Sequence, residues 1–331
     1  MIPPETLVLT RRDVARLLPL SDCIAAVETA FQRHAEGRSL APAVLGIPAR
    51  DGGFHVKAAG LELSRTYFAV KTNGNFFFNR ERFGMENIQG VVLLFDGANG
   101  YPLAVLDSIE ITVLRTGAAT AVAARHLARA DSRVVTICGC GNQGRVQLRA
   151  LALVRPIERC FAYDVDPSRA RLFAEELSAE LQFPVEVASD PGAAARQSDV
   201  CVTCTPSRRV FLRAGDLSPG AFLAAVGADA ADKQEIEPAL LAQSRVVVDV
   251  LDQCAAIGEL HHAIENGSMA REDIHAELAE VVAGSRPGRT SSEEIFIFDS
   301  TGTAIEDVAA AAAVYERAVE AGAGLSCRIG A

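Results

Sequence analysis

The pattern of apolar and polar positions divides the first third of the chain into two parts. Residues 10–37 repeat apolar side chains at helical spacing, and Thr10 and Ser21 are typical helix-capping residues. From about 41 to 106, short apolar runs are separated by turn signals. These signals are Asp51-Gly52, Asn73-Gly74 and Asn99-Gly100. We therefore expect two helices followed by a meander of antiparallel strands.

A different pattern begins near Ser132. Strand-like apolar runs alternate there with helical segments of roughly 10–15 residues, which favours a parallel, doubly wound α/β sheet. The predicted strands are 134–138, 160–164, 185–187, 199–205, 221–227 and 245–250. Ala-rich helices are expected before and after this region, over 115–129 and 307–322.

Composition and charge exclude several classes of protein. The chain has 331 residues, of which 49% are apolar, and a net charge of −10. This length fits two domains of roughly 150 residues each, and the apolar content excludes disorder. An acidic chain is a poor candidate for binding nucleic acid. No apolar run approaches the roughly 20 residues of a membrane helix, and residues 1–12 lack an apolar signal core.

Eight cysteines in 331 residues are too sparse for a disulfide-stabilised protein, which indicates a reducing compartment. Cys201 and Cys204 form a CxxC pair, which could bind zinc or undergo redox chemistry. The pair lies inside a strand-like run, and no second pair follows at zinc-finger spacing. We therefore interpret both residues as small core side chains and expect a cytoplasmic protein.

A glycine-rich motif supplies the clearest chemical signal. It comprises Gly139, Gly141, Asn142, Gln143 and Gly144, follows a predicted strand and opens a predicted helix over 143–154. In this context the three glycines permit a tight turn, close approach to a pyrophosphate and close packing of helix on strand. The helix N-terminus would then face the phosphates. The motif predicts a dinucleotide cofactor and, with it, hydride transfer.

One acid after the second strand bears on the choice of dinucleotide. Asp164 follows Gly144 by twenty residues, where an acid binds the ribose hydroxyls of NAD. NAD(H) is therefore favoured. Arg169 and Arg171 keep NADP(H) open, and Asp166 is the rival acid unless it caps the following helix.

Four further segments carry unusual polar residues. Lys71 lies in an apolar strand, either near a partner or at an edge where it reaches solvent. Arg115 opens an apolar helix, which suits an external anion or an ion pair. Asp229 follows a strand, where ligands bind in parallel sheets, but it could instead cap a helix. The fourth segment is 298–307.

Together, these segments resemble the ornithine cyclodeaminase/mu-crystallin family over nearly the whole chain. The matching motifs are VK-x-x-x-G-x-x-x-x-N, present with slightly altered spacing from Lys71 to Asn79, T-x-x-RT-x-A at 112–118, VG-x-D-x-x-x-K-x-E at 226–235 and FDS-x-G-x-A-x-ED at 298–307. The resemblance implies a Rossmann domain inserted in an α+β substrate-binding and dimerisation domain. The implied bounds are 1–125 plus 302–331 for the outer domain and 126–301 for the Rossmann domain.

The resemblance also implies roles for individual residues. Lys71 would hold the substrate carboxylate, Asp229 would be the acid/base at the substrate nitrogen, and Arg115 would lie where substrate and cofactor meet. Further contacts to the dinucleotide are implied for Thr205, Val226, Lys233 and Ser300. Members are usually homodimers that act on carbon–nitrogen bonds of α-amino or α-imino acids.

One departure from the family pattern bears on the substrate. Cyclodeaminases carry an arginine near a proline after the first helices, whereas residues 40–46 contain Pro42 and no arginine. Where many members have Met-Pro, this chain has His55-Val-Lys57-Ala, so Lys57 could replace the missing cation, or it could be a solvated strand residue.

These observations favour an oxidoreductase of amino acid metabolism. The expected activity is NAD(P)H-dependent reduction of an α-imino acid or cyclic ketimine, such as pyrroline- or piperideine-2-carboxylate. The alternatives are an ornithine or lysine cyclodeaminase, an alanine-type dehydrogenase and a non-catalytic ligand-binding protein of the mu-crystallin type. No metal is expected.

Overall fold

The computed structural model of the chain describes residues 5–329. Its helices are, in chain order, α1 (Arg11–Leu17), α2 (Leu20–Ala35), α3 (Asn79–Phe83), α4 (Ser108–Leu127), α5 (Asn142–Ala152), α6 (Pro167–Leu181), α7 (Pro191–Ala195), α8 (Pro238–Ala242), α9 (Leu251–Ile257), α10 (Glu259–Glu265), α11 (Leu278–Val282) and α12 (Ala304–Ala321). Its strands are β1 (Thr6–Leu9), β2 (Ser39–Ala49), β3 (Gly52–Glu62), β4 (Thr66–Phe76), β5 (Ile88–Asp96), β6 (Pro102–Asp107), β7 (Val134–Cys138), β8 (Arg159–Tyr163), β9 (Val185–Val187), β10 (Val200–Thr203), β11 (Arg208–Leu212), β12 (Phe222–Ala225), β13 (Gln234–Ile236), β14 (Arg245–Val248), β15 (Ala276–Glu277), β16 (Phe296–Asp299) and β17 (Leu325–Cys327).

The chain forms two compact units. The first comprises the residues up to Arg115 together with those from Thr303 onward, and the second is Thr116–Gly302. The second unit is thus inserted in sequence between two parts of the first, and one division falls inside α4. The domain bounds drawn from the resemblance, 1–125 plus 302–331 and 126–301, stay a prediction.

The first unit is built on a seven-stranded sheet with the order β17-β1-β6-β5-β4-β3-β2. Strands β2 to β6 pair antiparallel in succession, which confirms the predicted meander. The first half of β4 alternates buried and half-buried residues, as a strand covered on one face does. Helix α12 packs against α2 and against β3 and β4.

Two local expectations for this unit are wrong. Asn73-Gly74 is not a turn but lies inside β4, paired with Gly90 and Gln89 of β5. Ser21 is not a cap, because α2 begins one residue earlier, after Pro19, without a side-chain cap. Thr10 does cap α1, as predicted, in a capping box with Asp13.

Two Ala-rich helices begin earlier than predicted. Helix α4 starts at Ser108, so Arg115 lies two turns inside it rather than at its start. Helix α12 starts at Ala304 behind a capping box formed by Thr303 and Glu306. The earlier start places Glu306 and Asp307 in the first turn of α12, where carboxylates favour the helix dipole.

The second unit is built on an eight-stranded sheet with the order β15-β14-β16-β12-β10-β7-β8-β9. All of its pairings are parallel, and the chain runs outward from β7 to β9 before it returns to β10 on the other side of β7. This confirms the predicted doubly wound sheet. In such sheets the point of reversal, here between β7 and β10, is where ligands bind.

Burial in this sheet agrees with its sequence. The interior strand β10 is fully buried, as expected for continuous apolar runs covered on both faces. Cys201 is buried in β10, as predicted for a core side chain, whereas Cys204 directly after the strand is only half-buried. Across residues 5–329, no helix is long and apolar enough to span a membrane.

Candidate active site

The glycine-rich loop joins β7 to α5 in the second unit. Gly139 has a φ of +107°, and a Cβ there would lie 2.8 Å from the Cys204 carbonyl. A Cβ at Gly144 would collide with the carbonyl oxygen of Gly139, so α5 can approach the strand only with glycine at that position. At Gly141, by contrast, a Cβ would meet open space. These are the three requirements that the motif predicted for a bound pyrophosphate.

Helix α5 presents its N-terminus at this loop. It begins at Asn142 with Gly141 as its N-cap, and no side chain caps it. The first backbone N–H groups are therefore not occupied by a capping oxygen, which suits an anionic phosphate. Asn142 is exposed and Gln143 half-buried in this first turn.

A cavity of about 450 Å³ opens between the loops that follow β7 and β10. Its lining residues are Gly139, Gly141, Tyr163, Asp164, Val165, Arg169, Cys204, Thr205, Pro206, Ser207, Arg209, Val210 and Phe211. The volume is within the range of small-molecule sites, and the cavity lies at the point of strand reversal. The glycine loop and Asp164 thus share one concave surface, as a dinucleotide site requires.

Asp164 is held in place by the loop itself. Its Oδ2 accepts a hydrogen bond from Cys140 N at 2.9 Å, and its Oδ1 accepts one from Asp166 N at 3.0 Å. Asp166 caps α6 through Ser168, which removes it as the rival acid. Each Asp164 oxygen keeps further acceptor capacity for a ribose hydroxyl. Arg169 lines the same cavity, whereas Arg209 is a second lining cation that sequence reasoning missed.

Glu235 ties together two loops at the carboxyl ends of the sheet strands. It is fully buried and accepts hydrogen bonds from Thr205 N at 2.7 Å, Thr205 Oγ1 at 2.6 Å and Gly227 N at 3.1 Å. Desolvation raises the pKa of Glu235 above its ordinary value. Sequence reasoning assigned it no role, although it ends the VG-x-D-x-x-x-K-x-E motif.

Asp229 lies in the exposed loop between β12 and β13. Its side chain is 51% exposed and pairs with the ammonium of Lys233. The alternative that Asp229 caps a helix is wrong, because the next helix, α8, begins only at Pro238. Val226 directly follows β12 and donates its N–H to Thr203 O at 2.8 Å.

Ser300 is buried at the end of β16. Its backbone N–H donates to Ala225 O at 2.9 Å, and its hydroxyl lies 3.5 Å from Asp249 Oδ2. A contact of Ser300 with the dinucleotide stays a prediction, as do the contacts of Val226 and Lys233.

A buried charge cluster forms in the first unit. Lys71 Nζ donates to Asp307 Oδ1 at 2.8 Å, and Arg115 donates from Nη1 to Glu306 at 2.9 Å and from Nε to Asp307 at 3.2 Å. All four residues are at most 5% exposed. Lys71 is therefore not an edge residue that reaches solvent, since β3 and β5 flank its strand. For Arg115, the ion-pair alternative is what the structure shows.

Lys57 is the cross-strand neighbour of Lys71 and is half-buried. Burial, opposed by Asp307 and aided by the positive charges of Arg115 and Lys57, lowers the pKa of Lys71 to about 7. Burial acts to raise the pKa of Asp307, but Lys71 and Arg115 outweigh it, so that the pKa lies below its ordinary value.

The cluster thus places the cationic side chains of Lys71 and Arg115 beside the carboxylates of Glu306 and Asp307, with Lys57 as the cross-strand neighbour of Lys71. Sequence reasoning found the three cations but assigned no role to Glu306 and Asp307, although both stand in the FDS-x-G-x-A-x-ED motif.

Comparison with known proteins agrees with this geometry. The model of the ornithine cyclodeaminase/mu-crystallin family matches residues 4–322. The chain belongs to this family. Within the family, a putative dehydrogenase of Rhizobium meliloti is 40% identical to it, over 96% of this chain and 97% of the relative.

Two solved members of the ornithine cyclodeaminase/mu-crystallin family show the same fold. An archaeal alanine dehydrogenase dimer with bound NAD is 37% identical, with a TM-score of 0.94 over 98% of this chain and 99% of that one. The Δ1-pyrroline-2-carboxylate reductase of Thermococcus litoralis, in complex with NADH and L-proline, is 33% identical, with a TM-score of 0.92 over 97% and 99%. The predicted NAD(H) cofactor agrees with both complexes.

Proposed function

We propose that this protein is an NAD(H)-dependent reductase of an α-imino acid or cyclic ketimine of the pyrroline- or piperideine-2-carboxylate type. The observation that carries the proposal is the buried charge cluster, which brings together cationic side chains that could bind an α-carboxylate. The cavity beside Gly139, Gly141 and Asp164 would hold the dinucleotide, which supplies a hydride when bound. A reductase needs both a site for the substrate carboxylate and a site for the dinucleotide.

The chain's own residues account for binding and proton transfer. Lys71 and Lys57 would bind the substrate carboxylate, while Arg115 keeps its place through Glu306 and Asp307. The hydride adds to the α-carbon, and the imine nitrogen must gain one proton to become an amine. Asp229 would relay that proton, taking it up from water at its half-exposed carboxylate beside the Lys233 ammonium and passing it to the nitrogen.

Asp229→Ala tests this assignment. We expect the substitution to lower kcat by at least about a hundredfold, because general acid catalysis contributes roughly 10²–10⁴ in rate. NADH affinity, measured by fluorescence titration, should stay unchanged. The matched control is Asp232→Ala, an exposed acid of the same loop that pairs with Arg208. A near-normal kcat for Asp229→Ala would remove Asp229 from catalysis.

A substrate screen with NADH and NADPH separates the candidate activities. NADH oxidation with a cyclic imine supports the proposal, while turnover with pyruvate and ammonium supports an alanine-type dehydrogenase, a candidate favoured by the 37% identical archaeal structure. Ammonia release from ornithine without net NADH change would show a cyclodeaminase. No turnover with any imino or amino acid would leave a ligand-binding protein.

We also propose that the protein is a homodimer. A group of apolar side chains is exposed on β2, β3 and β5 and on the segment between β4 and β5. Single exposed apolar residues are normal on a protein surface, but a group of them indicates an interface. These side chains are Leu40, Val44, Leu45, Ile47, Phe54, Phe77, Phe78, Phe83, Met85, Ile88 and Val91. Light scattering should give twice the chain mass, and Leu45→Glu should shift it towards one chain. A single-chain mass for the unaltered protein would contradict the proposal.

A further inference from the structure

A second cluster of chemically active side chains lies on α10 of the second unit. One nitrogen each of His261 and His262 and a carboxylate oxygen of Glu265 all lie within 4.8 Å of one another. His261 Nε2 is 3.8 Å from Glu265 Oε2, too long for a hydrogen bond. Nothing in the proposed reduction uses these three residues.

Backbone carbonyls orient both imidazole rings. His261 Nδ1 lies 3.3 Å from Ala255 O, and His262 Nε2 lies 2.7 Å from Lys233 O. A carbonyl can only accept, so each of these ring nitrogens carries the hydrogen. The opposite nitrogens, Nε2 of His261 and Nδ1 of His262, are then left with lone pairs. This is how ligand histidines are commonly held in metal sites, with the second nitrogen bonded to a carbonyl or carboxylate.

The chemistry of the donor set selects the kind of metal. Two imidazoles and one carboxylate suit zinc and similar transition metals, whereas magnesium and calcium prefer sites made of oxygen. Three protein ligands leave a position for water. His262 and Glu265 line an open cavity of about 680 Å³, through which an ion and its water could enter.

The distances allow the three ligands to meet one ion. Tetrahedral ligands about 2.1 Å from zinc are roughly 3.4 Å apart, so the present spacing must shrink by a little over 1 Å. Glu265 Oε2 already lies 3.8 Å from His261 Nε2, and its 72% exposed side chain can move closer, while small ring rotations would adjust the spacing of the two histidine nitrogens. We propose that one ring nitrogen each of His261 and His262 and a carboxylate oxygen of Glu265 form a binding site for Zn²⁺.

Calorimetric titration of the full chain with ZnCl₂ tests this proposal. We expect binding that weakens at least about tenfold in both Glu265→Gln and His261→Gln, since even groups behind metal ligands are worth about 10- to 100-fold in affinity. The matched control is Glu272→Gln, an exposed acid a few residues further along, which should bind like the unaltered protein. Circular dichroism of each variant checks its fold.

Two outcomes would overturn the site. The first is no binding, or binding that Glu265→Gln and His261→Gln leave unchanged. The second is binding that disappears in Cys327→Ser, because Cys327 is an exposed thiol that could capture zinc by itself. Anomalous scattering at the zinc edge gives an independent readout. The expected peak lies about 2.1 Å from both histidine nitrogens, and a peak elsewhere contradicts the proposal.

Discussion

Both units bury carboxylates, but they stabilise them in different ways. In the first unit, Asp307 and Glu306 pair with Lys71 and Arg115. In the second, fully buried acids accept hydrogen bonds from backbone N–H groups and hydroxyls instead. Glu235 accepts hydrogen bonds from the backbone N–H groups of Thr205 and Gly227. Glu259 accepts them from Glu235 and Ile236. The remaining two acids do the same, Asp299 with Glu259 and Leu260, and Asp249 with Val250 and Gly302.

The two arrangements shift acid pKa values in opposite directions. Neighbouring cations hold the pKa of Asp307 below its ordinary value. Desolvation raises the pKa of Glu235 and Glu259, and it raises that of Asp299 to about 7. The difference separates two uses of a buried acid. In the first unit the acids hold buried cations in place, and in the second they hold backbone segments, as Glu235 does at Thr205 and Gly227.

The largest expected effect is the loss of stability when Asp307, the acid paired with two cations, is replaced. Asp307→Asn leaves Lys71 and Arg115 in the interior without a full counter-charge, and breaking a buried ion pair in this way costs about 3–5 kcal/mol. Urea unfolding should report a loss of that size. Glu320→Gln, at an exposed position of the same helix, is the control and should change stability by less than about 0.5 kcal/mol. A loss below about 1 kcal/mol for Asp307→Asn would show that the pairing contributes little.

A smaller effect with a distinct pH dependence is expected at Asp299. Its ordinary pKa of 3.8 rises to about 7 in the folded chain, so the folded state binds a proton that the unfolded chain releases between these values. Its contribution to stability is therefore complete below about pH 4 and is lost as the pH rises through about 7.

The Asp299→Asn variant exposes that dependence. We expect a loss of about 1–3 kcal/mol at low pH, typical of disturbed buried hydrogen bonds. The difference in free energy of unfolding from the unaltered protein should shrink between pH 4 and 8. The exposed control variant Glu320→Gln should show no such shrinkage over the same range. Parallel pH curves for the two variants would contradict the comparison.

Sequence reasoning found the fold of the second unit because its signals are local. The glycine loop, the apolar strands and Asp164 each lie within one βαβ segment, where spacing alone fixes the geometry. The same local reasoning failed at Asn73-Gly74. There, pairing of β4 on both sides overrides the turn signal, and Ser108 donates to the buried Asn73 Oδ1 at 2.6 Å.

The sequence could predict the cations of the charge cluster but not their acid partners. An isolated Lys71 or Arg115 in an apolar segment signals a buried partner, but the partners are 236 and 191 residues away in sequence. Spacing carries no information at that distance. Helix α12 begins early, after its Thr303 capping box, and this start places Glu306 and Asp307 in its first turn. The sequence predicted the start of this helix only at Asp307, so it did not reveal the two acids as partners of the cations.

The smallest expected effect tests the proposed binding of the substrate carboxylate by Lys57. Because the pKa of Lys71 is about 7, its ammonium is lost as the pH rises above 7, and KM for the carboxylate substrate should rise there. Lys57→Met removes one carboxylate partner and one cation that lowers the pKa of Lys71. We therefore expect KM to rise about tenfold, or about 1.4 kcal/mol, and the pH inflection to move upward. Arg50→Met, at an exposed end of the neighbouring turn, should change neither. An unchanged KM with an unmoved inflection would make Lys57 a solvated strand residue.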